Sequence, residues 1–475
     1  MGETSLGWGL LHLLLAPPAI IHALLYKRDP RAALGWIGLC LLLPIAGTLL
    51  YLLFGINRIH TRARHLAPLH RFLRIPYEQG TACREPAPVA QLPPIALPLR
   101  PFVAVSQRVA RRPLLAGNHI EVLENGEGAY PAMLQAIDSA RERVFLSSYI
   151  FETDATGQRF IKALAHARSR GVRVRVLLDA VGEHYSWPPA SYRLKRAGVR
   201  VARFLPPRLI PPTPYINLRN HRKLLVVDGR LGFTGGMNIG DRHLIQDTPH
   251  PTRDLHFRVR GPVVAELEDV FREDWRFTTG EALPPSPLPS PAGDSHARVL
   301  VDGPNEDLDK LILTLEGAIG AARHEVLAVT PYFIPPPPLL YALQAAALRG
   351  IEVSVILPER SNLPYVDWAS RNLLLELLAH GVRIHLQPPP FDHSKLLIID
   401  RLYAHIGSAN LDNRSLRLNF ELNVEIADPL FAARLAGHTL RLREAARELS
   451  AEEIAARPLP QRLRDATCWL FSPYL

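Results

Sequence analysis

"NHRKLLVVDGRLGFTGGMN" occupies residues 220–238, and "DHSKLLIIDRLYAHIGSAN" repeats its pattern at residues 392–410. In both stretches a His is followed two residues later by a Lys, and then by four apolar residues and an Asp. The spacings agree throughout: seven residues from His to Asp, seven from Asp to the next Gly, and three from that Gly to an Asn. Two copies with one spacing indicate a duplicated functional unit, whereas a single such pair is usually a solvated strand end.

The repeated residue types suit the binding of an anion. Residues two apart on a strand point the same way, so the His and Lys of each motif share one face where a buried apolar strand begins. The glycines remove side-chain bulk where a backbone or a ligand must approach closely. Each copy then supplies an imidazole, an ammonium and an amide, and two facing copies would hold a tetrahedral anion. The candidates are His221, Lys223, Asn238, His393, Lys395 and Asn410, and Ser408 adds a hydroxyl.

The flanks of the motifs repeat as well, so the chain contains two similar halves. "GVRVRVLLD" at 171–179 corresponds to "GIEVSVILP" at 350–358, and "AGVRVARF" at 197–204 to "HGVRIHLQ" at 380–387. A Gly after a helical segment and before β-branched residues is typical of a helix–turn–strand unit. Helices and strands therefore alternate in both halves, which predicts an α/β fold with parallel or mixed sheets.

The first 56 residues differ from the rest. Two apolar stretches, Leu6–Leu25 and Leu34–Phe54, have the length of about 20 residues that a bilayer core requires, and only the polar "YKRDPR" separates them. They predict a two-helix transmembrane hairpin. Arginines are more numerous after the second stretch than in the turn, so the positive-inside rule favours a cytoplasmic location of the large domain.

Composition and charge limit the class of protein. The net charge of +10 and the pI near 9.7 favour an anionic partner, either a membrane surface or a nucleic acid. Three scattered cysteines exclude a disulfide framework and a thiolate-rich zinc site. Proline-rich breaks complete a predicted division into a hairpin, a basic linker and two domains, at residues 1–56, 57–117, 118–285 and 286–475.

The pattern His-x-Lys-x4-Asp-x6-Gly-[Gly/Ser]-x-Asn resembles the signature of the phospholipase D superfamily, whose two-domain members carry it twice. Three further stretches are similar to bacterial cardiolipin synthases: the apolar residues 26–55, "GSANLDNRSLRLNFELN" at 407–423 and "RPLPQRLRDATCWLFSPYL" at 457–475. The resemblance covers essentially the whole chain. One departure is "QPPPFDHSK", where Pro388–Pro390 stand near the second His and the family tends to have a glycine.

The resemblance implies two tandem phospholipase D-like domains that form one pseudo-twofold active site. It also implies a phosphatidyltransferase of the bacterial plasma membrane, which condenses two phosphatidylglycerol molecules to cardiolipin and glycerol without a cofactor. By resemblance, His221 forms a phosphohistidine and His393 is the general acid, with its role reversed in the second step. The lysines and asparagines would stabilise the phosphoryl oxygens. Neither a nucleic-acid partner nor an oligomeric state is implied.

Each catalytic imidazole needs an acceptor at its second nitrogen to fix its tautomer. Asp254 lies 33 residues after the first motif His and Glu421 lies 28 after the second, where the family places an acid. We expect these two acids to orient the histidines. The motif aspartates, Asp228 and Asp400, belong to the catalytic signature, but we expect them to hold the turn after the strand.

A metal centre is not expected, because the lysines already supply positive charge and the acids lack the spacing of an oxygen cage. His256 follows Asp254 by two residues, and we interpret it as a strand-face histidine. Tyr149 and Tyr332 occupy equivalent strand ends, where they either line the site or pack in the core.

Alternative functions of three classes remain open: a lipid enzyme with another acceptor, a nuclease and a non-catalytic scaffold. The same chemistry would serve a lipid hydrolase, or a transferase that uses phosphatidylethanolamine or another alcohol as the acceptor. A nuclease would suit the positive charge, but the apolar hairpin and the lack of aromatic residues among the basic ones argue against it. A non-catalytic membrane scaffold is disfavoured because both sets of His, Lys and Asn are intact.

Overall fold

The computed structural model describes residues 2–27, 30–43, 45–55, 98–207, 218–246, 248–304 and 309–473. The chain divides into two compact units, one of residues 1–74 and 207–216 and the other of residues 75–206 and 217–475. Both His-Lys motifs belong to the second unit. The predicted linker at 57–117 lies outside the described residues as far as residue 97. The predicted boundaries after residues 117 and 285 stay predictions.

The first unit is helical where it is described. Its elements are α1 (Gly2–Tyr26), α2 (Pro30–Leu42), α3 (Ala46–Leu50) and a π-helical turn at Tyr51–Gly55. The second apolar stretch therefore contains more than one helix, and the sequence has Pro44, which cannot donate a backbone hydrogen bond, between α2 and α3. In the described residues, no helix combines the length and the apolar character that a membrane crossing requires.

One large mixed sheet runs through the second unit, with two small sheets beside it. The strands are β1 (Leu115–Glu124), β2 (Arg143–Ser148), β3 (Arg173–Asp179), β4 (Arg200–Phe204), β5 (Leu224–Val227), β6 (Leu231–Gly235), β7 (Thr252–Arg253), β8 (Leu255–Arg260), β9 (Ser295–Asp302), β10 (Glu325–Val329), β11 (Phe333–Ile334), β12 (Glu352–Pro358), β13 (Arg383–Gln387), β14 (Phe391–Asp392), β15 (Leu396–Ile399), β16 (Tyr403–Gly407), β17 (Leu411–Asp412), β18 (Glu421–Ala427) and β19 (Arg447–Glu448). The 15-stranded sheet has the order β19-β13-β12-β10-β15-β16-β18-β9-β1-β8-β6-β5-β2-β3-β4.

Apart from the short edge strand β19, this order is symmetric about the central antiparallel pair of β9 and β1. On one side β2, β3 and β4 are parallel, and β5, β6 and β8 form an antiparallel meander. On the other side β10, β12 and β13 are parallel, and β15, β16 and β18 repeat the meander. Parallel neighbours require crossover connections, which the helices supply, whereas tight turns join β5 to β6 and β15 to β16. The predicted α/β fold with two tandem domains and mixed sheets is confirmed.

Helices cover the sheet and enclose a separate apolar core in each half. They are α4 (Arg100–Ala110), α5 (Asn125–Ser139), α6 (Ala155–Ser169), α7 (Ala190–Arg196), α8 (Val263–Thr279), α9 (Lys310–Ala321), α10 (Pro337–Leu348), α11 (Pro364–Ala379), α12 (Asn413–Arg417), α13 (Pro429–Ala445), α14 (Ala451–Ala455) and α15 (Leu459–Trp469). Every residue of β5 and β15 is buried, as the apolar runs of the motifs predicted. Each buried Leu or Val contributes about 1.5–3 kcal/mol of stability, so these strands anchor the motifs firmly.

Candidate active site

Both His-Lys motifs lie where strands β5 and β15 begin. Because β5 is antiparallel to β2 and β15 to β10, these starts meet the carboxyl ends of the parallel strands, the edge where α/β sheets bind ligands. His221, Lys223, His393 and Lys395 are all buried there. Burial lowers the pKa of His221 to about 4 and holds the pKa of His393 well below its usual value, and the lysine of the opposite motif acts in the same direction on each. The two motifs therefore form one site.

Each motif histidine is hydrogen-bonded to an acid from the other half of the chain. His221 Nδ1 lies 3.0 Å from a carboxylate oxygen of Glu421, and His393 Nδ1 lies 2.9 Å from Oδ2 of Asp254. Both predicted acids thus contact an imidazole, but their partners are 200 and 139 residues away along the chain. Pairing through Nδ1 leaves Nε2 of both rings available for chemistry.

Short backbone bridges between the halves cause this crossing. Asn220 forms a parallel bridge with Phe420, and these residues directly precede His221 and Glu421. Strand β14 pairs in parallel with β7, directly before the second motif histidine and its acid. Parallel neighbours advance together along the chain. The histidine that follows each bridge therefore stands beside the acid that follows the same bridge in the opposite half.

The two acids differ in their tendency to hold a proton. Burial raises the pKa of Asp254 well above its usual value, although both motif lysines oppose this. Burial also acts to raise the pKa of Glu421, but the neighbouring imidazole, ammonium and hydroxyl outweigh it and leave that pKa below its usual value. Of the two acids, Asp254 therefore binds a proton more readily than Glu421 does.

The glycine pair of the first motif makes room for its neighbouring acid. A Cβ added to Gly236 would lie 2.5 Å from Oδ1 of Asp254, closer than real Cβ contacts. In the second half Ser408 stands at the equivalent position, and its hydroxyl donates a 2.5 Å hydrogen bond to Oε2 of Glu421. The hydroxyl that we expected to face a phosphate thus contacts the acid, and its phosphate role stays a prediction.

The two lysines are held in the same way. Each Nζ donates to the backbone carbonyl of the histidine in its own motif, at 2.7 Å for Lys223. The Lys223 ammonium also lies 5.5 Å from the centre of the Tyr149 ring. Burial lowers the pKa of both lysines, to about 8 for Lys395. An incoming phosphodiester anion would therefore find cations that are poorly hydrated and already oriented.

The two asparagines are buried beside the motifs and oriented differently. Asn238 Oδ1 accepts a 3.1 Å hydrogen bond from the amide of Ile150. Asn410 Nδ2 donates to Oγ of Ser415 at 3.1 Å, and its buried Oδ1 has no hydrogen-bond partner among the described residues. Both amides are thus fixed by protein groups on one side, and the phosphate contact expected of each stays a prediction.

The motif aspartates lie at the far ends of β5 and β15 from the histidines. Asp228 accepts hydrogen bonds from the backbone amides of Arg141, Glu142 and Arg143, at 2.8–2.9 Å. Asp400 accepts three equivalent bonds from residues 323–325. Both aspartates have a left-handed backbone, with φ of 52° and 53°. These contacts agree with a structural role, since the Asp228 carboxylate holds its turn against the start of β2 and the Asp400 carboxylate holds its turn against the start of β10.

We predict that Asp228→Ala destabilises the protein and leaves the chemistry intact. It removes the acceptor of three backbone amides and places Ala at a positive φ, which together cost about 2 kcal/mol. The melting temperature should fall, while kcat well below that temperature should stay within about twofold. The exposed Asp294 is the matched control, and Asp294→Ala should leave both unchanged. A hundredfold loss of kcat at an unchanged melting temperature would place Asp228 in the chemistry instead.

Aromatic rings pack against both imidazoles. The Tyr149 ring centre lies 5.1 Å from that of His221, and the Tyr332 ring centre lies 6.2 Å from that of His393. Both tyrosines therefore line the site at equivalent places. His256 is buried on β8, and neither ring nitrogen has a partner among the described residues. Within those residues, no group of three or more His, Cys, Asp and Glu side chains is arranged to hold a metal ion.

The three prolines ahead of the second motif do not displace its histidine. Pro388–Pro390 fall between β13 and β14. The amide of His393 donates to the carbonyl of Arg253 at 2.8 Å, just as the amide of His221 donates to that of Phe420 at 2.9 Å. The motif histidines thus hold equivalent backbone positions in the two halves.

Sequence reasoning missed Arg222, the residue between the first motif His and Lys. Its guanidinium is buried and donates to the carbonyl of Glu421 at 3.1 Å and to Oδ1 of Asp274 at 2.6 Å. Arg222 thus joins the two halves directly behind the site. Alternation along the strand was the available signal, because a cation between two site-facing residues must point to the opposite face. Asn419 was also missed, and its amide supports Glu421 through a 3.1 Å hydrogen bond.

Comparisons with protein families and solved structures agree with the duplicated α/β fold described above. The family described as Cardiolipin synthase, PLD-like domain, matches residues 133–275 and 315–442, and the one described as Phospholipase D-nuclease N-terminal matches residues 14–55. The crystal structure of phosphatidylserine synthase from Haemophilus influenzae has a TM-score of 0.60 over 79% of this chain and all of its own. At 16% identity this likeness shows a shared fold.

Curated relatives extend the match over most of the chain. A cardiolipin synthase of Geobacillus kaustophilus is 33% identical over 98% of this chain and 94% of its own length. Cardiolipin synthase A of Pseudomonas aeruginosa is 36% identical over 87% of this chain and 84% of its own. Cardiolipin synthase A of Pseudomonas putida is 35% identical over 98% and 97%. With its duplicated motif, paired half-sheets and single shared site, the chain belongs to the cardiolipin synthase family of phospholipase D-like proteins.

Proposed function

We propose that the protein transfers a phosphatidyl group from one phosphatidylglycerol molecule to a hydroxyl of a second, producing cardiolipin and glycerol. The observation that carries this proposal is the pair of buried histidines, each held at Nδ1 by an acid from the opposite half. Such a pair supplies a nucleophile for phosphorus and a proton for the leaving alkoxide within one site. The names of the 33–36% identical relatives support the choice of lipid and reaction.

In the first step, Nε2 of His221 attacks phosphorus. The N–P bond forms, the bond from phosphorus to the glycerol oxygen breaks, and a proton passes from the His393–Asp254 pair, the general acid of this proposal, to that oxygen. We assign the proton donor to this pair because burial raises the pKa of Asp254, whereas the neighbouring imidazole, ammonium and hydroxyl lower the pKa of Glu421. The motif lysines balance the charge of the phosphoryl oxygens, and removing one donor from such a site typically costs about 3–4 kcal/mol.

In the second step the free hydroxyl of another phosphatidylglycerol replaces glycerol. Its proton passes to the His393–Asp254 pair as its oxygen attacks phosphorus, and the N–P bond to His221 breaks. The site then has its original protons. Both steps use the same groups in opposite directions, which the near-symmetric geometry of the two halves permits.

The N-terminal unit serves as the membrane attachment in this proposal. Residues 14–55 match the Phospholipase D-nuclease N-terminal family. Helices α1 and α2 expose large apolar side chains, including Leu14, Leu25 and Leu42, and such surface favours contact with lipid. We place the unit as a hairpin in the bacterial plasma membrane with the catalytic unit in the cytoplasm. Protease added to intact spheroplasts should then leave the catalytic unit uncut. Digestion of the catalytic unit would show that it lies outside the cytoplasm.

The activity test uses the full chain, purified in detergent and supplied with phosphatidylglycerol alone. Mass spectrometry and a glycerol assay should find cardiolipin and glycerol in equal amounts, and both should vanish in His221→Ala. Phosphatidic acid in place of cardiolipin would indicate a hydrolase. Turnover that starts only after phosphatidylethanolamine is added would change the acceptor, and cleavage of nucleic acid without lipid turnover would overturn the proposal.

The pH dependence should show an alkaline limit set by a lysine. Burial lowers the pKa of Lys395 to about 8, so its ammonium is present below that pH and is lost as the pH rises through it. We predict that kcat/KM, which reports the free enzyme, falls above pH 8. The arginine in Lys395→Arg keeps its charge to far higher pH. The activity of this variant should be weaker, but its kcat/KM should not fall above pH 8. An unchanged limit in that variant would assign the titration to another group.

A further inference from the structure

Large aromatic side chains are exposed beyond the end of β3 in the first half. Trp187 is 85% exposed and Tyr185 is 57% exposed. Tyr185 is not remote from the chemistry, because its ring centre lies 6.4 Å from that of Tyr149, which in turn packs on His221. These aromatic residues therefore stand at the entrance to the site on the side of the first motif.

The second half exposes apolar residues at the corresponding place. The Tyr332 ring, which packs on His393, donates its hydroxyl to Asn362 at 2.7 Å, in the loop beyond β12. Tyr365 lies in the first turn of α11, which follows that loop, and is 45% exposed. Tyr332 also packs in one cluster with Cys468, near the end of α15. The residues after Cys468 are exposed as well: Trp469, Leu470 and Phe471.

We call this set of exposed residues the aromatic rim: Tyr185, Trp187, Tyr365, Trp469, Leu470 and Phe471. Exposed apolar residues that cluster around the entrance to a site mark an interaction surface. Trp and Tyr combine an apolar ring with a polar group, which suits the boundary between lipid headgroups and hydrocarbon. Two arginines lie near them, each also paired with an acid. Arg242 is 5.8 Å from the Tyr185 ring and pairs with Glu152, and Arg464 is 4.3 Å from the ring of Trp368 on α11 and pairs with Asp465. Rings beside guanidinium groups fit an anionic bilayer.

We propose that the aromatic rim inserts into the headgroup region of an anionic bilayer and seats the site's entrance on the membrane surface. This inference rests on the proposed function, since a phospholipid substrate must pass from the bilayer to the buried histidines. It is separate from the proposed attachment by the N-terminal unit, because it involves other residues. With the rim inserted, a lipid headgroup reaches the site while its acyl chains stay in the bilayer.

The direct test is fluorescence quenching in full-chain proteoliposomes that contain bromine-labelled phosphatidylglycerol. Trp187→Phe keeps an apolar ring and removes one fluorophore, so the quenched part of the emission should be smaller than in the parent protein. This readout does not depend on activity. Equal quenched emission in the two proteins would overturn the insertion of Trp187, whether or not the proposed lipid reaction is found.

Kinetics test the role of the rim in substrate access. For Trp187→Ala, kcat/KM on vesicles should fall about tenfold, as the loss of one large inserted side chain implies. On short-chain phosphatidylglycerol dispersed as monomers it should change less than about twofold. Leu430→Ala is the matched control, because Leu430 is 84% exposed and lies beyond the end of β18 opposite to Glu421. Equal losses on both substrates would contradict the proposal, as would a concentration-dependent dimer that Trp187→Ala abolishes.

Discussion

His221→Asn is expected to abolish phosphatidyl transfer, with a loss of at least about 10⁴-fold, because removing an attacking nucleophile removes the whole covalent route. His393→Asn should also stop turnover of phosphatidylglycerol, because glycerol departs as an alkoxide that needs a proton. A substrate with a p-nitrophenol leaving group separates the two roles, since p-nitrophenolate departs without protonation. His393→Asn should still release one p-nitrophenolate per enzyme in a burst. The phosphohistidine should then accumulate, because no base remains to deprotonate the hydroxyl that attacks it in the second step. His221→Asn should give no burst.

The measurement is rapid-mixing absorbance together with mass spectrometry of the acid-labile phosphoenzyme. Melting temperatures of both variants should stay near that of the parent protein, which would exclude unfolding as the cause. A burst in His221→Asn and none in His393→Asn would exchange the assignments. A burst in neither variant would argue against a covalent intermediate on either ring.

The second large effect concerns the crossed acids. Glu421→Gln replaces the carboxylate that contacts His221 by a neutral amide, which no longer fixes the reactive tautomer or stabilises the charge that develops on the ring. We expect turnover to fall by about 10³–10⁴-fold, as in other sites where the acid behind a catalytic histidine becomes an amide. With the p-nitrophenyl substrate, the burst should be slowed by a similar factor.

Asp254→Asn should behave differently, because Asp254 contacts the other ring, His393. Turnover of phosphatidylglycerol should fall strongly, but the burst with the p-nitrophenyl substrate should persist. Glu421 in the second half of the chain would thus control the histidine of the first half, and Asp254 the reverse. If Asp254→Asn removed the burst and Glu421→Gln preserved it, each acid would serve the motif of its own half and the crossing would be wrong.

Two kinds of feature could be predicted from the sequence. The first is local: His and Lys two apart on a strand share a face, and the apolar runs Leu224–Val227 and Leu396–Ile399 are buried on both sides. The second is repetition, because a duplicated motif in two alternating α/β halves predicts two tandem domains. The acids Asp254 and Glu421 were also found, from their matching places after the motifs. The turn-holding contacts of the motif aspartates agree with the role expected of them.

Other features escaped prediction because they depend on contacts between distant parts of the chain. No periodicity in the sequence indicates that the Ser408 hydroxyl contacts Glu421 instead of a phosphate. Nor does any periodicity indicate that Arg222 contacts Asp274. Both contacts arise only when β-strands of the two halves are placed beside each other. The aromatic rim is of the same kind, since Trp187 and Trp469 are 282 residues apart in sequence. Only packing against Tyr149 and Tyr332 brings their neighbourhoods to one entrance.

The sequence by itself indicated the chemical groups of the candidate site: two imidazoles, two ammonium groups and two acids, at strands whose apolar residues must be buried. It did so because side-chain direction on a strand is a local property of the backbone. Which acid serves which histidine was decided only by the tertiary structure, through the bridge between Asn220 and Phe420 and the pairing of β14 with β7. Those contacts join residues 139 or more positions apart, so their register depends on how the two half-sheets associate and not on any spacing along the chain.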